Sequence, residues 1–232
     1  MAKKGKKDTA RDIFQDLTQN DAGKIITGRI LIVCEGTKTE PNYFRSFDKT
    51  GNGVFVCDLD CIGTAKNTRQ VVEEAIALRD AQKKGIPYDS VWAVFDKDSF
   101  STADFNAAIQ KAHSNGIGCA WSNEAFEIWY IFHFLNRTTG VSRTEHQKIL
   151  SAQIKKFAKG YTYKKNQPDM RATLNKYGDE SMAIRYAEKQ ASTFISGSFA
   201  EHNPCTMVYK LVRLLRGEDS AFNAQLRSNI ES

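Results

Sequence analysis

The 232-residue chain is 41% hydrophobic with a net charge of +6, enough apolar residues for a packed interior, which excludes an intrinsically disordered protein. Its five cysteines, at positions 34, 57, 61, 119 and 205, form no CxxC pair and follow no apolar leader, so a disulfide-stapled secreted domain is set aside and a reducing cytoplasm is expected. The longest apolar runs, Ile30 to Cys34 and Ile128 to Leu135, stop far short of the roughly 20 residues a membrane span needs.

The first residues, MAKKGKKDTARD, are polar and basic without periodicity and read as a flexible tail over 1–28. At Arg29 the pattern changes to RILIVC, a β-branched run ending at Glu35-Gly36, followed by a helical stretch from Glu40 to Asp48. VFVCDLD forms a second strand. Asn67 to Lys84 then places Val71, Val72, Ala75, Ile76 and Leu78 at helical spacing. The third strand, VWAVFDKD at 91–98, leads to a helix starting near Ser101 or Thr102 and ending near Asn115-Gly116. IGCAWSN at 117–123 reads as a fourth strand, and EAFEIWYIFHFL as a buried helix. Four strand-helix alternations predict an α/β core over 29–136, with a mostly parallel sheet of about four strands flanked by helices.

After Asn136 the alternation stops. Residues 143–158, 169–177 and 181–195 read as helices of a C-terminal region spanning 137–232. A last helix has Asn203 as its cap, Pro204 in its first position, Met207, Val208, Leu211, Leu214 and Leu215 as its apolar stripe, and Gly217 as its stop. No internal repeat and no GxxxxGK[ST] phosphate loop occurs, so the usual means of hydrolysing ATP is missing.

In a parallel α/β sheet, ligands bind beyond the carboxyl ends of the strands. There the sequence places Glu35, after the first strand, and Asp96 and Asp98, after the third. Residues two apart in an extended chain face the same side, so the two aspartates can address one cation or a pair, with Glu35 approaching from a neighbouring strand. Unpaired, the carboxylates would raise one another's pKa; Mg²⁺ or Mn²⁺ removes that penalty and can activate water toward a phosphodiester. The structural alternative is capping, with Asp98 as the cap of the helix near Ser101.

These segments resemble a known family. A glutamate after the first strand and a DxD after a later one mark the Toprim fold, shared by topoisomerases, primases and OLD-type nucleases. More closely, ILIVCEGTKTEPNYF at 30–44, VWAVFDKD at 91–98, SNEAFEIWYIFHF at 122–134 and NPCTMVYKLV at 203–212 are similar to RloB-like proteins. In that family the aromatic helix opens Ser-Asn-Pro-x-Phe-Glu, whereas Glu124 replaces the proline here. The resemblance implies a Toprim-like, metal-dependent nuclease of bacterial anti-phage defence, encoded beside a partner ATPase of the ABC/AAA type (RloA-like).

Lys38 and Glu40, just beyond the first strand, are further candidates, the lysine for a phosphate and the glutamate for water or a second ion. Glu127 lies on the aromatic helix and needs a partner or cation if buried. His133, on the same helix, reads as a core residue before a general base. Cys57 and Cys61 lack a second pair at zinc-finger spacing.

Lysines and arginines outnumber acids by 3 over residues 1–29 and by 7 over 137–232, while acids lead by 4 over 30–136. Acids for cations between basic flanks for phosphates suit a nucleic-acid partner, DNA or RNA; lysine-rich solvated ends are the bland alternative. The best patch is Lys155, Lys156, Lys159, Lys164, Lys165 and Arg171, interleaved with Phe157, Tyr161 and Tyr163. Cations would hold phosphates and rings would stack on unpaired bases, as in single-stranded or looped substrates such as tRNA. The rivals are a non-catalytic adaptor that binds nucleic acid or an ATPase, and a metal-dependent nucleotidyltransferase or phosphatase. A homodimer remains open.

Overall fold

The computed structural model describes residues 25–52, 55–82, 85–194 and 198–231. The tail expected over 1–28 lies outside them up to residue 24, and the first strand begins earlier than Arg29, at Ile26. In chain order the elements are β1 (Ile26–Cys34), α1 (Thr39–Arg45), β2 (Phe55–Gly63), α2 (Thr68–Ala81), β3 (Ser90–Val94), α3 (Thr102–Ser114), β4 (Gly118–Cys119) and α4 (Glu127–Phe132). Then follow α5 (Arg143–Lys155), α6 (Met170–Tyr177), α7 (Glu180–Ser192), a 3₁₀ turn (Phe199–Glu201), α8 (Val208–Leu215) and α9 (Ser220–Glu231).

The four strands are all parallel, in the order β2-β1-β3-β4. Both faces of β1 are buried, so its apolar residues run without polar interruption from Ile30 to Cys34. Ile30, Ile32 and Cys34 join one core, with Trp92 and Val94 of β3, Tyr43 and Phe44 of α1, and residues from α4 to α9. Leu31 and Val33 join the other, with Val91, Ala93 and Phe95 and the apolar stripes of α2 and α3. The region after residue 136 thus builds one of the two cores.

Local chemistry sets most helix starts. Asn67 makes a reciprocal capping box with Gln70 at α2. Ser101 caps α3 and Ser142 caps α5. Three differences from the sequence reading have physical reasons. The fourth strand is regular only over Gly118–Cys119, but the chain beyond it keeps the same register to an isolated bridge between Asp96 and Ser122, Ala120 and Ser122 donating to Ala93 and Phe95 oxygens while Lys97 donates back to Ser122. Asn203 and Pro204 do not open a helix. Their peptide bond is cis, and the following residues run alongside 121–123, with Asn123 donating to Cys205 and Met207 to Trp121, so α8 begins only at Val208. Gly217 does end α8, with φ +69, but a further helix, α9, follows and packs Phe222 against Phe55. Among the described residues no helix is long and apolar enough to cross a membrane.

Candidate active site

Because β1 connects to β2 on one side and the chain then crosses to β3 on the other, the winding reverses between β1 and β3. Strand ends diverge at such a point and leave room for a ligand. Glu35 follows β1 directly, and its amide donates to the Val94 oxygen at 2.9 Å. Glu35 Oε2 accepts the Asp96 amide at 3.2 Å, so the two acids are locked across the switch. Asp96 Oδ2 accepts the amide of Phe126, at the start of α4, at 3.1 Å.

A cavity of about 340 Å³ opens here, lined by Lys38, Glu40, Asp96, Glu127, Lys165 and Asn166 among others. Glu40 and Glu127 are buried, and the Tyr163 hydroxyl donates to Glu127 Oε1 at 3.1 Å. Gly36 lets the Glu40 carboxylate lie against the backbone: a Cβ there would stand 2.2 Å from Glu40 Oε2 and would displace it. Lys38 and Lys165 are exposed at the rim. Asn166, at φ +67, accepts from Thr39 Oγ1 at 2.9 Å, which ties the α5–α6 loop to α1 and fixes Lys165 at the cavity.

Burial raises Glu35 to about 7, with Glu40 and Asp98 adding and the Asp96 amide and Arg143 opposing. Asp96 is held well above the carboxylate range, first by burial and then by Glu40, Glu127 and Glu35. Glu40 is raised by burial and by Glu127, against Lys165 and Arg143. Carboxylates thus outnumber the positive charge that reaches them.

Arg143 escaped the sequence reading. From the first turn of α5 its Nη2 lies 3.1 Å from Asp98 Oδ2, 3.7 Å from Asp96 Oδ2 and 3.2 Å from the Glu124 oxygen. Nothing local marks it: an arginine after a capping serine is ordinary on an exposed helix. Asp98, at φ +37, does not cap α3, a task Ser101 performs. It turns to Arg143, whose guanidinium it shares with Asp96.

A hard divalent cation fits this donor set in its chemistry: every donor is oxygen, and Arg143 and Lys165 only partly counter the buried acids. The arrangement is not itself a cage, since among the described residues no group of three or more His, Cys, Asp or Glu is placed to hold a metal ion.

The basic patch divides. Lys155, Lys156, Lys159, Lys164 and Lys165 are exposed. Tyr163 is buried against Glu127, and Tyr161 donates to Gln167 Oε1 at 2.8 Å. Arg171 makes two hydrogen bonds to Glu180, at 2.9 and 3.1 Å, and covers the Phe47 ring at 3.4 Å. Arg216 and the Tyr43 hydroxyl complete that internal hub. His133 is buried, its Nδ1 3.0 Å from the Trp129 oxygen, and burial lowers it to about 4, so it is neutral. All five cysteines are free, and Cys34 and Cys61 stand with sulfurs 4.0 Å apart.

Sheet order and acid placement define an α/β protein with a carboxylate-rich cleft at its topological switch point. The chain belongs to the RloB-like protein family, whose profile matches residues 30–215. Neither the curated proteins nor the solved structures gave a match.

Proposed function

We propose that this protein is a Toprim-like, Mg²⁺- or Mn²⁺-dependent nuclease that hydrolyses a phosphodiester of DNA or RNA. The observation that carries the reading is the pairing of Glu35 with Asp96 across the switch point, beside a cavity whose acids face the rim lysines Lys38 and Lys165. Asp96 with Glu35 would hold the cation, and Asp98 would join once Arg143 releases it. When bound, the ion polarises the phosphoryl oxygen and lowers the pKa of the attacking water. The alternative to ligation is acid–base work: Glu35, near 7 in the metal-free protein, is suited to take or return a proton where it does not hold the ion. Lys38 and Lys165 bind the flanking phosphates, and Arg143, freed from Asp98, meets the charge developing on the scissile group. Action in anti-phage defence beside an ABC/AAA-type ATPase in the cytoplasm belongs to the same proposal and rests on family resemblance.

The test is cleavage of plasmid, single-stranded DNA and tRNA with Mg²⁺ or Mn²⁺, using parent and Glu35→Gln, with and without the neighbouring ATPase. Cutting that disappears with Glu35→Gln is expected. Cutting retained by the variant would sink the proposed role. The second reading, a non-catalytic adaptor, is favoured by one observation, the Arg143 guanidinium resting on Asp96 and Asp98. No cutting by any sample, together with no divalent-ion heat in calorimetry, would select it.

A further inference from the structure

Phe157 is anomalous on this surface. It sits two residues past the end of α5, 62% exposed, the most exposed of the large apolar side chains among the described residues. Its ring does not simply dangle. It stacks on Tyr177, at the end of α6, with centroids 6.2 Å apart and planes 17° from parallel. Lys176 places its Nζ 5.0 Å from the Tyr177 centroid, and Lys155, Lys156 and Lys159 surround Phe157 in sequence, all exposed. The nearest acids point elsewhere: Asp179 accepts the Met182 amide to cap α7, and Asp169 accepts from Gln167.

We propose that the Phe157–Tyr177 pair is a base-stacking platform for an unpaired stretch of nucleic acid whose backbone continues into the acidic cavity. The proposal rests on the nucleic-acid reading above and specifies the substrate as single-stranded or looped. A flat aromatic pair with an open face offers a nucleobase what water does not, and the lysines neutralise phosphates on either side. Bases inside a duplex already stack on one another and cannot use the platform. The α5–α6 loop supplies the connection: it starts at the platform and reaches the cavity at Lys165 and Asn166. Lys165 is eight steps along the chain from Phe157, so the two sites lie no more than about 28 Å apart. Tyr161 and Tyr163, the rings that sequence spacing also favours, are engaged internally, and the exposed ring is matched by Tyr177, which lies outside the patch.

The experiment is fluorescence anisotropy with the full chain in EDTA, so that no strand is cut. The probes are labelled single-stranded RNA and DNA, a duplex, and a strand of the same length with abasic sugars. Phe157→Ala is expected to weaken single-strand binding about tenfold while leaving duplex and abasic binding unchanged, and Phe157→Tyr to retain it. Phe157 is exposed, and a thermal melt confirms that each variant folds. Equal affinity of parent and Phe157→Ala for single strands overturns the platform, as does equal weakening on abasic and base-bearing strands, or no binding by the parent. A parent that binds single strands through Phe157 but never cuts with Mg²⁺ or Mn²⁺ keeps the platform and removes the nuclease. A parent that cuts, with Phe157→Ala binding normally, does the reverse.

Discussion

Glu35 sits between opposing influences: burial and the neighbouring acids push its pKa up, while the Asp96 amide and Arg143 pull it down, and burial wins at about 7. The folded state therefore keeps a proton that the unfolded chain releases above about 4.5. Stability from this group is fully present below the unfolded value and is lost as pH rises through 7, because the unfolded state then binds fewer protons than the native one. Metal-free parent protein is expected to melt at lower temperature at pH 8 than at pH 5. Glu35→Gln removes one titrating group, so at pH 8 it should melt on the order of 2–4 °C above the parent. Asp96 and Glu40, both raised, sustain the remaining slope. Melting curves across pH check this, and identical pH dependence in parent and variant would show that Glu35 is not the strained group.

The elements carrying the site were largely legible in sequence, because β1 and β3 are short apolar runs ending in acids and the helices after β2 and β3 are capped by Asn67 and Ser101. β1, α2, β3 and α3 follow from continuous apolar runs and helical patterns bounded by Gly, Asn or Ser. What failed depends on distant partners. α9 looked unremarkable, since its apolar residues make sense only against β1 and β2: Phe222 packs edge-on against Phe55 of β2, beside Gly28 of β1, where a Cβ would meet both rings. Asn203-Pro204 imitated a helix start because local preference cannot register the pairing of Cys205 and Thr206 with Asn123 and Ser122. Glu35, Asp96 and Glu127 announced themselves as acids at strand ends or in an apolar helix, whereas Arg143 reaches its partners from an unrelated helix. The hidden role of α9 is testable: Phe222→Ala should cost about 3 kcal/mol of unfolding free energy by urea titration, as for other buried rings. A loss below about 0.5 kcal/mol would mean α9 is not docked.

At the scale of the molecule, acids are concentrated in the sheet region and lysines after it, yet both regions share one apolar core. A fragment ending at residue 136 would expose the face that carries Ile30, Ile32 and Cys34, and it is expected to show no cooperative unfolding transition; a sigmoidal melt would make the helical region a separate unit. The same integration fixes the basic surface relative to the cleft, so charge and stacking should be separable in solution. Each lysine that neutralises a phosphate steepens the fall of log affinity with log salt by about 0.7 on single strands. Replacing Lys155, Lys156 and Lys159 together by alanine should flatten that slope by about 2. Phe157→Ala should lower affinity at every salt concentration and leave the slope alone, because stacking releases no counterions. Parallel salt titrations of parent, triple variant and Phe157→Ala distinguish the two contributions. An unchanged slope in the triple variant would place the phosphates away from α5, on Lys38 and Lys165 at the cleft, and the strand would then enter without crossing the platform.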